Sequence, residues 1–273
     1  MLEVLTKYWG FYLVATPDPN GVGVQDLRNA LDDLTEDSSW VSDLKTVDVA
    51  FRATQESINS QITSKQLRKV LAARIVVFRL LLQLAIQADG KVQEKHKRIW
   101  LSFQLSDTLI HFSAQPHPFV LIIRKCLVHA SSAALDTLVG RLVDIRVEYL
   151  QNSHFILGLD EVQWAFRKYP RSFISSTDPT MFRSIIREVL KVFTKWPIKL
   201  IMSGTGVSLN DLEDSMASGV SKTRAIKMFH KLGMFDTLLK LKSFVERYVP
   251  PHMLESDSGH HLQQRMREYL LGR

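Results

Sequence analysis

The stretch His154–Gln163 reads HFILGLDEVQ. Phe155 to Leu159 is a short, mostly apolar run, and it stops abruptly at two adjacent carboxylates, Asp160 and Glu161. An apolar run of this length, bounded by polar residues, fits a strand buried on both faces of a parallel sheet. In open α/β sheets ligands bind beyond the carboxyl ends of the strands, which is where such a pair would stand. A carboxylate is also welcome at a helix N-terminus for electrostatic reasons alone, so the pair by itself does not decide its use.

A second run has the same design. KLIMSGTG, from Lys199 to Gly206, is an apolar strand that ends in the small hydroxyl residues Ser203 and Thr205, set among Gly204 and Gly206. Hydroxyls at a strand tip can touch a phosphate or an attacking water, and glycines let backbone approach closely. Beside them, Asp160 can hold Mg²⁺, often through water, and Glu161 can orient or deprotonate a water. The plain alternative is a strand-to-helix turn in which Ser208 or Asn210 caps the next helix.

Outward from these two runs, the chain alternates strands with helices. FYLVA, Phe11 to Ala15, reads as a buried strand ahead of the turn-rich PDPNGVG. Leu27, Ala30, Leu31 and Leu34 place a short helix over 26–34. Residues 35–63 read as a long loop or weak helix. The spacing of Leu67, Val70, Leu71, Arg74, Ile75 and Phe78 predicts a helix over 64–88, apolar nearly all round in its second half and so buried on most sides. Further helices are expected over 92–105, 132–151 and 180–194, and a strand over 198–202, with the two prolines of SAQPHPFV as a break after 105. A short strand over 225–229 and helices over 235–248 and 261–271 complete the reading. The expected fold is α/β: a mainly parallel sheet flanked by helices, with a helical insert over about 40–151. Residues 1–220 would form this core and 221–273 a basic, mostly helical, lid-like end.

Composition limits the function classes. With 273 residues, 45% hydrophobic and 23% charged, the chain can bury a real core. The single Cys126 excludes an internal disulfide framework, fits an intracellular, reducing setting, and is expected as a small buried hydrophobe. The N-terminus lacks a basic n-region and a small-residue cleavage site, and the greasiest run, Ile75 to Ala88, is interrupted by Arg79 and Gln83, so no membrane is expected as a partner. The net charge of +7 is uneven: residues 221–273 carry ten Lys/Arg against five Asp/Glu. That end can meet nucleic acid or a protein, or simply be a solvated surface. Trp100, Trp164 and Trp196 read as core or boundary aromatics, and Lys91, Lys95 and Lys97 as a solvated basic face. His252, His260 and His261 lack the spacing of a metal site. No G-x-S-x-G elbow is present, and Lys199 precedes its strand, which does not suit a nuclease.

Together the two strand motifs resemble a family. FILGLDE is similar to the Walker B strand of the additional-strand P-loop NTPases, and LIMSGTG to the strand that carries their sensor-1 polar residue. The run as a whole resembles the NTPase domain of fungal Crinkler-type and retrotransposon-hot-spot-like proteins, relatives of the AAA+ and STAND ATPases. WGFYLVATPDPNGVGVQDL resembles the segment that follows their P-loop helix, and the terminal MREYLLGR their lid. The resemblance implies ATP and Mg²⁺ as cofactors, Asp160 for the metal, Glu161 for water activation, and Ser203 or Thr205 for sensing the γ-phosphate. It further implies Gly204 and a sensor arginine, Arg273, at the nucleotide. Yet the phosphate cradle, G-x-x-x-x-G-K-S/T, occurs nowhere in the sequence. GVGVQDL, SGTGVSL and ASGVSKT each miss the pattern. The expectation is that Met1 to Tyr8 is the tail of the P-loop helix, and that the first core strand and its loop lie ahead of Met1. The chain is then a fragment or degenerate form of an NTPase, inactive alone. The alternative is a non-catalytic module that binds through its basic end.

Overall fold

The computed structural model describes residues 1–16, 22–105, 116–175, 178 and 180–204. The expected strand over 225–229 and helices over 235–248 and 261–271 lie outside the described residues. Helix α1 (Leu2–Lys7) leads into strand β1 (Trp9–Val14). Helices α2 (Asp26–Asp32), α3 (Arg52–Asp89), α4 (Glu94–Leu105), α5 (Pro118–Lys125) and α6 (Ser132–Leu150) follow. Strand β2 (Phe155–Asp160) and helix α7 (Val162–Arg167) come next. A small hairpin pairs β3 (Phe173–Ile174) with β4 (Phe182–Arg183), and α8 (Ile186–Thr194) precedes β5 (Lys199–Met202).

The fold is α/β, with a small three-stranded parallel sheet, ordered β1-β2-β5, flanked by helices. The three runs read as strands are therefore neighbours, with the carboxylate strand in the centre. Phe11 and Phe155 pack against Phe78 of α3, and Phe11 and Phe78 also against Trp100 of α4; all four rings are fully or almost fully buried. Aromatic pairs at these centroid distances add to the burial of their area. On the other face α1 lies close over glycine: a Cβ at Gly10 would overlap the Ile156 carbonyl and Leu5, and one at Gly158 would overlap the Met1 side chain. Gly10→Ala should therefore lower stability by about 1–3 kcal/mol, as overpacking against backbone does. A urea midpoint unchanged from wild type would show that the strands can part there without cost.

The outer edge of β1 is closed by side chains. Gln104 Oε1 accepts from Tyr12 N at 2.9 Å, Arg74 donates to Tyr12 O at 2.8 Å, and Trp100 Nε1 donates to Gly10 O at 2.7 Å. These groups satisfy the edge as a further strand would, so β1 is buried along its whole length. Arg74 in turn is held bidentate by Asp26 at 2.6 and 2.7 Å, with both side chains fully buried. Along β5 the burial is only partial, and among the described residues no strand pairs with its other edge.

Several expectations are corrected. Of the two readings of 35–63, long loop or weak helix, helix holds from Arg52 on, where α3 starts and runs for 38 residues. Its early buried positions are polar, Asn59 and Thr63, so apolar periodicity misses them. Asn59 bonds Val41 and Ser172 and so ties two loops to the helix. The second half of α3 is less enclosed than expected, with Val76, Leu80, Leu84 and Ile86 exposed. By length and composition Val49–Asp89 could cross a membrane, but half of its most apolar window is buried inside the protein. Pro118 starts a helix, capped by His117, where only a break was expected. The helix read over 180–194 begins at Ile186; ahead of it lies β4, after an Asp178 carboxylate that accepts from the Thr180 backbone and hydroxyl. Cys126 is exposed, not buried. Lys97 is buried, not solvated: its ammonium reaches Lys7 O and Glu94, while Lys91 and Lys95 are exposed. Trp100 is core, as expected, and Trp164 and Trp196 are half-buried.

Candidate functional site

Strand β2 carries Asp160 to the carboxyl end of the sheet, and the next residue turns the chain. Glu161 has φ 55, in the left-handed region that a glutamate seldom adopts. This sharp turn lets α7 begin at once. It also lets Val162 N donate to Ser203 O at 3.1 Å, while Ser203 N donates to Leu159 O at 3.0 Å. The tips of β2 and β5 are thus laced together by backbone, and the side chains converge on one carboxylate. Ser203 Oγ donates to Asp160 Oδ1. Glu161 N donates to the same oxygen at 3.0 Å. The phenol of Tyr12, from β1, donates to Asp160 Oδ2 at 2.7 Å. Burial, then the hydrogen bond to Asp160, then the charges of Asp160 and Glu161 push the Tyr12 phenol well above its ordinary range, so it stays a donor. Glu161 accepts from Gln163 Nε2.

Four of the residues singled out in the sequence therefore meet: Asp160, Glu161, Ser203 and Gly204. At Gly204 a Cβ would displace the end of the Gln163 side chain and press on Val162, so the backbone after β5 lies close against the start of α7. Thr205 and Arg273 lie outside the described residues. Sequence reasoning missed Tyr12 and Gln163. The one available signal for Tyr12 was a polar-tipped aromatic within an otherwise apolar strand.

The donor set suits a hard divalent cation in one respect. A carboxylate offers about four lone-pair positions, and the three donors among the described residues leave roughly one of them, on Asp160 Oδ2. A cation here would keep most of its waters or complete its shell with substrate oxygens, as Mg²⁺ prefers. Among the described residues no group of three or more His, Cys, Asp or Glu side chains is placed to hold a metal by itself. An open depression lined by Trp9, Lys91, Val92, Gln93 and Glu94 lies at the turn between α3 and α4, not at these carboxylates. No family model, curated protein or solved structure matches the chain.

Proposed function

We propose that this chain is an NTPase-derived core that carries the cation- and water-handling half of a P-loop-type site without a recognisable phosphate loop. The observation that supports the reading best is the placement of Asp160 at the tip of the central parallel strand, tied to Ser203 at the tip of its neighbour. The left-handed backbone at Glu161 adds to it, since such conformations cluster at functional sites. In this reading Asp160 orients a hydrated Mg²⁺ and Glu161 orients or deprotonates the attacking water. Ser203 fixes the Asp160 carboxylate and, with Gly204, lines the side where a γ-phosphate would lie. Thr205 and Arg273 keep the nucleotide-sensing roles that the resemblance implies.

ATP should bind weakly or not at all to the 273-residue chain, because no G-x-x-x-x-G-K-S/T segment supplies amides and a lysine for its phosphates. Phosphate release from Mg·ATP should stay at background in wild type and in Glu161→Gln. A Mg²⁺-dependent rate that falls in Glu161→Gln would place a working phosphate cradle within these residues and overturn this part of the reading. The second reading, an interaction module without catalysis, is favoured by the missing cradle and by the basic 221–273 segment. It predicts salt-dependent retention on a polyanion column, and no retention at low salt counts against it.

A further inference from the structure

Tyr12 is fixed more completely than packing requires. Its backbone N–H is taken by Gln104 and its carbonyl by Arg74. Gln104 itself accepts from Arg74 at 2.9 Å, and Arg74 is locked by the buried carboxylate of Asp26. The Tyr12 ring is almost fully buried among Leu5, Val14, Leu101 and Ile156. It pairs in register with Gly158, two residues before Asp160, and its hydroxyl reaches forward to Oδ2. The Tyr12 backbone is thus anchored to a buried ion pair, and its ring, packed among apolar side chains, carries the hydroxyl to the carboxylate at the candidate site.

We propose that Tyr12 is a positioning residue for Asp160: with Ser203 and the Glu161 amide it fixes the carboxylate so that a single Oδ2 lone pair faces a hydrated divalent cation. This rests on the NTPase-type reading of the site, and it adds a residue from β1 that no motif marks. Three donors around one carboxylate forbid bidentate chelation and hold the plane of the group constant. Hydrogen-bonding partners of metal ligands commonly act in this way, and their loss weakens metal binding by roughly tenfold to a hundredfold.

The test is Mn²⁺ binding to the full chain, followed by the paramagnetic resonance of free Mn²⁺, with thermal unfolding recorded in parallel. Wild type should show weak bound Mn²⁺ and Asp160→Asn should lose it. Tyr12→Phe, which keeps the ring, should remain folded and bind about tenfold more weakly. A purely structural tyrosine would lower the melting temperature and leave Mn²⁺ affinity of the folded protein unchanged; that result overturns the proposal. If Asp160→Asn abolishes binding while Tyr12→Phe does not alter it, the positioning role fails and the reading of the site stands. If wild type binds no Mn²⁺, or Asp160→Asn binds as wild type does, both fail.

Discussion

Arg74→Met should destabilise the protein by about 3–5 kcal/mol, a large share of the stability of an ordinary domain. The guanidinium is fully buried and makes four hydrogen bonds: two to Asp26, one to Gln104 and one to the Tyr12 carbonyl. It also stands 4.5 Å from the Phe119 ring centre. Removing it leaves the Asp26 carboxylate charged, buried and unpaired, which costs more than the lost attraction. The edge of β1 loses a donor at the same time. The double variant Asp26→Leu/Arg74→Met should regain part of the loss, because replacing a whole buried pair by apolar groups is much less costly than breaking it. Urea midpoints for the two variants check this; equal loss in both would mean that the pair's partners, and not its charge, dominate.

Phe78→Ala should cost about 3–5 kcal/mol through transfer and cavity terms. Phe78 is fully buried and touches the rings of Trp9, Phe11, Trp100 and Phe155, so it joins α3 and α4 to both β1 and β2. Four surrounding rings, themselves held from three elements, cannot easily close over the hole. Phe78→Leu should recover a large share of the loss, and unfolding curves for the pair provide the check.

The sheet was legible because its strands are short apolar runs bounded by turn residues, and such runs need cover on both faces. The carboxylate pair was legible as a strand end for the same reason. What escaped the sequence was carried by polar residues in buried places. Asn59 and Thr63 lie on the buried face of α3, where periodicity asks for apolar side chains, so the first twelve residues of the helix fall in a stretch that reads only as long loop or weak helix. Lys97 reads as solvated because its type is, yet it is buried, its ammonium over the Trp9 ring and bonded to Lys7 O and Glu94. The hairpin of β3 and β4 has two residues in each strand, too few for any alternation to show. Tyr12 escaped because its partner, Asp160, is distant in sequence and meets it only once β1 and β2 are paired in register. The apolar stripe of α3 misled in the other direction: Val76, Leu80 and Leu84 recur at helical spacing yet remain exposed.

The central claim is that the carboxylate at the tip of β2 is the cation end of an NTP-hydrolysing type of site, and Asp160→Asn tests it most directly. The variant keeps the shape of the side chain and removes its charge. Titrated with Mn²⁺ and read by the resonance of free metal, wild type should hold a weakly bound ion that Asp160→Asn does not, with both proteins folded by circular dichroism. Equal Mn²⁺ binding by wild type and variant, or none by either, would contradict the claim and leave Asp160 as a tie between three strands.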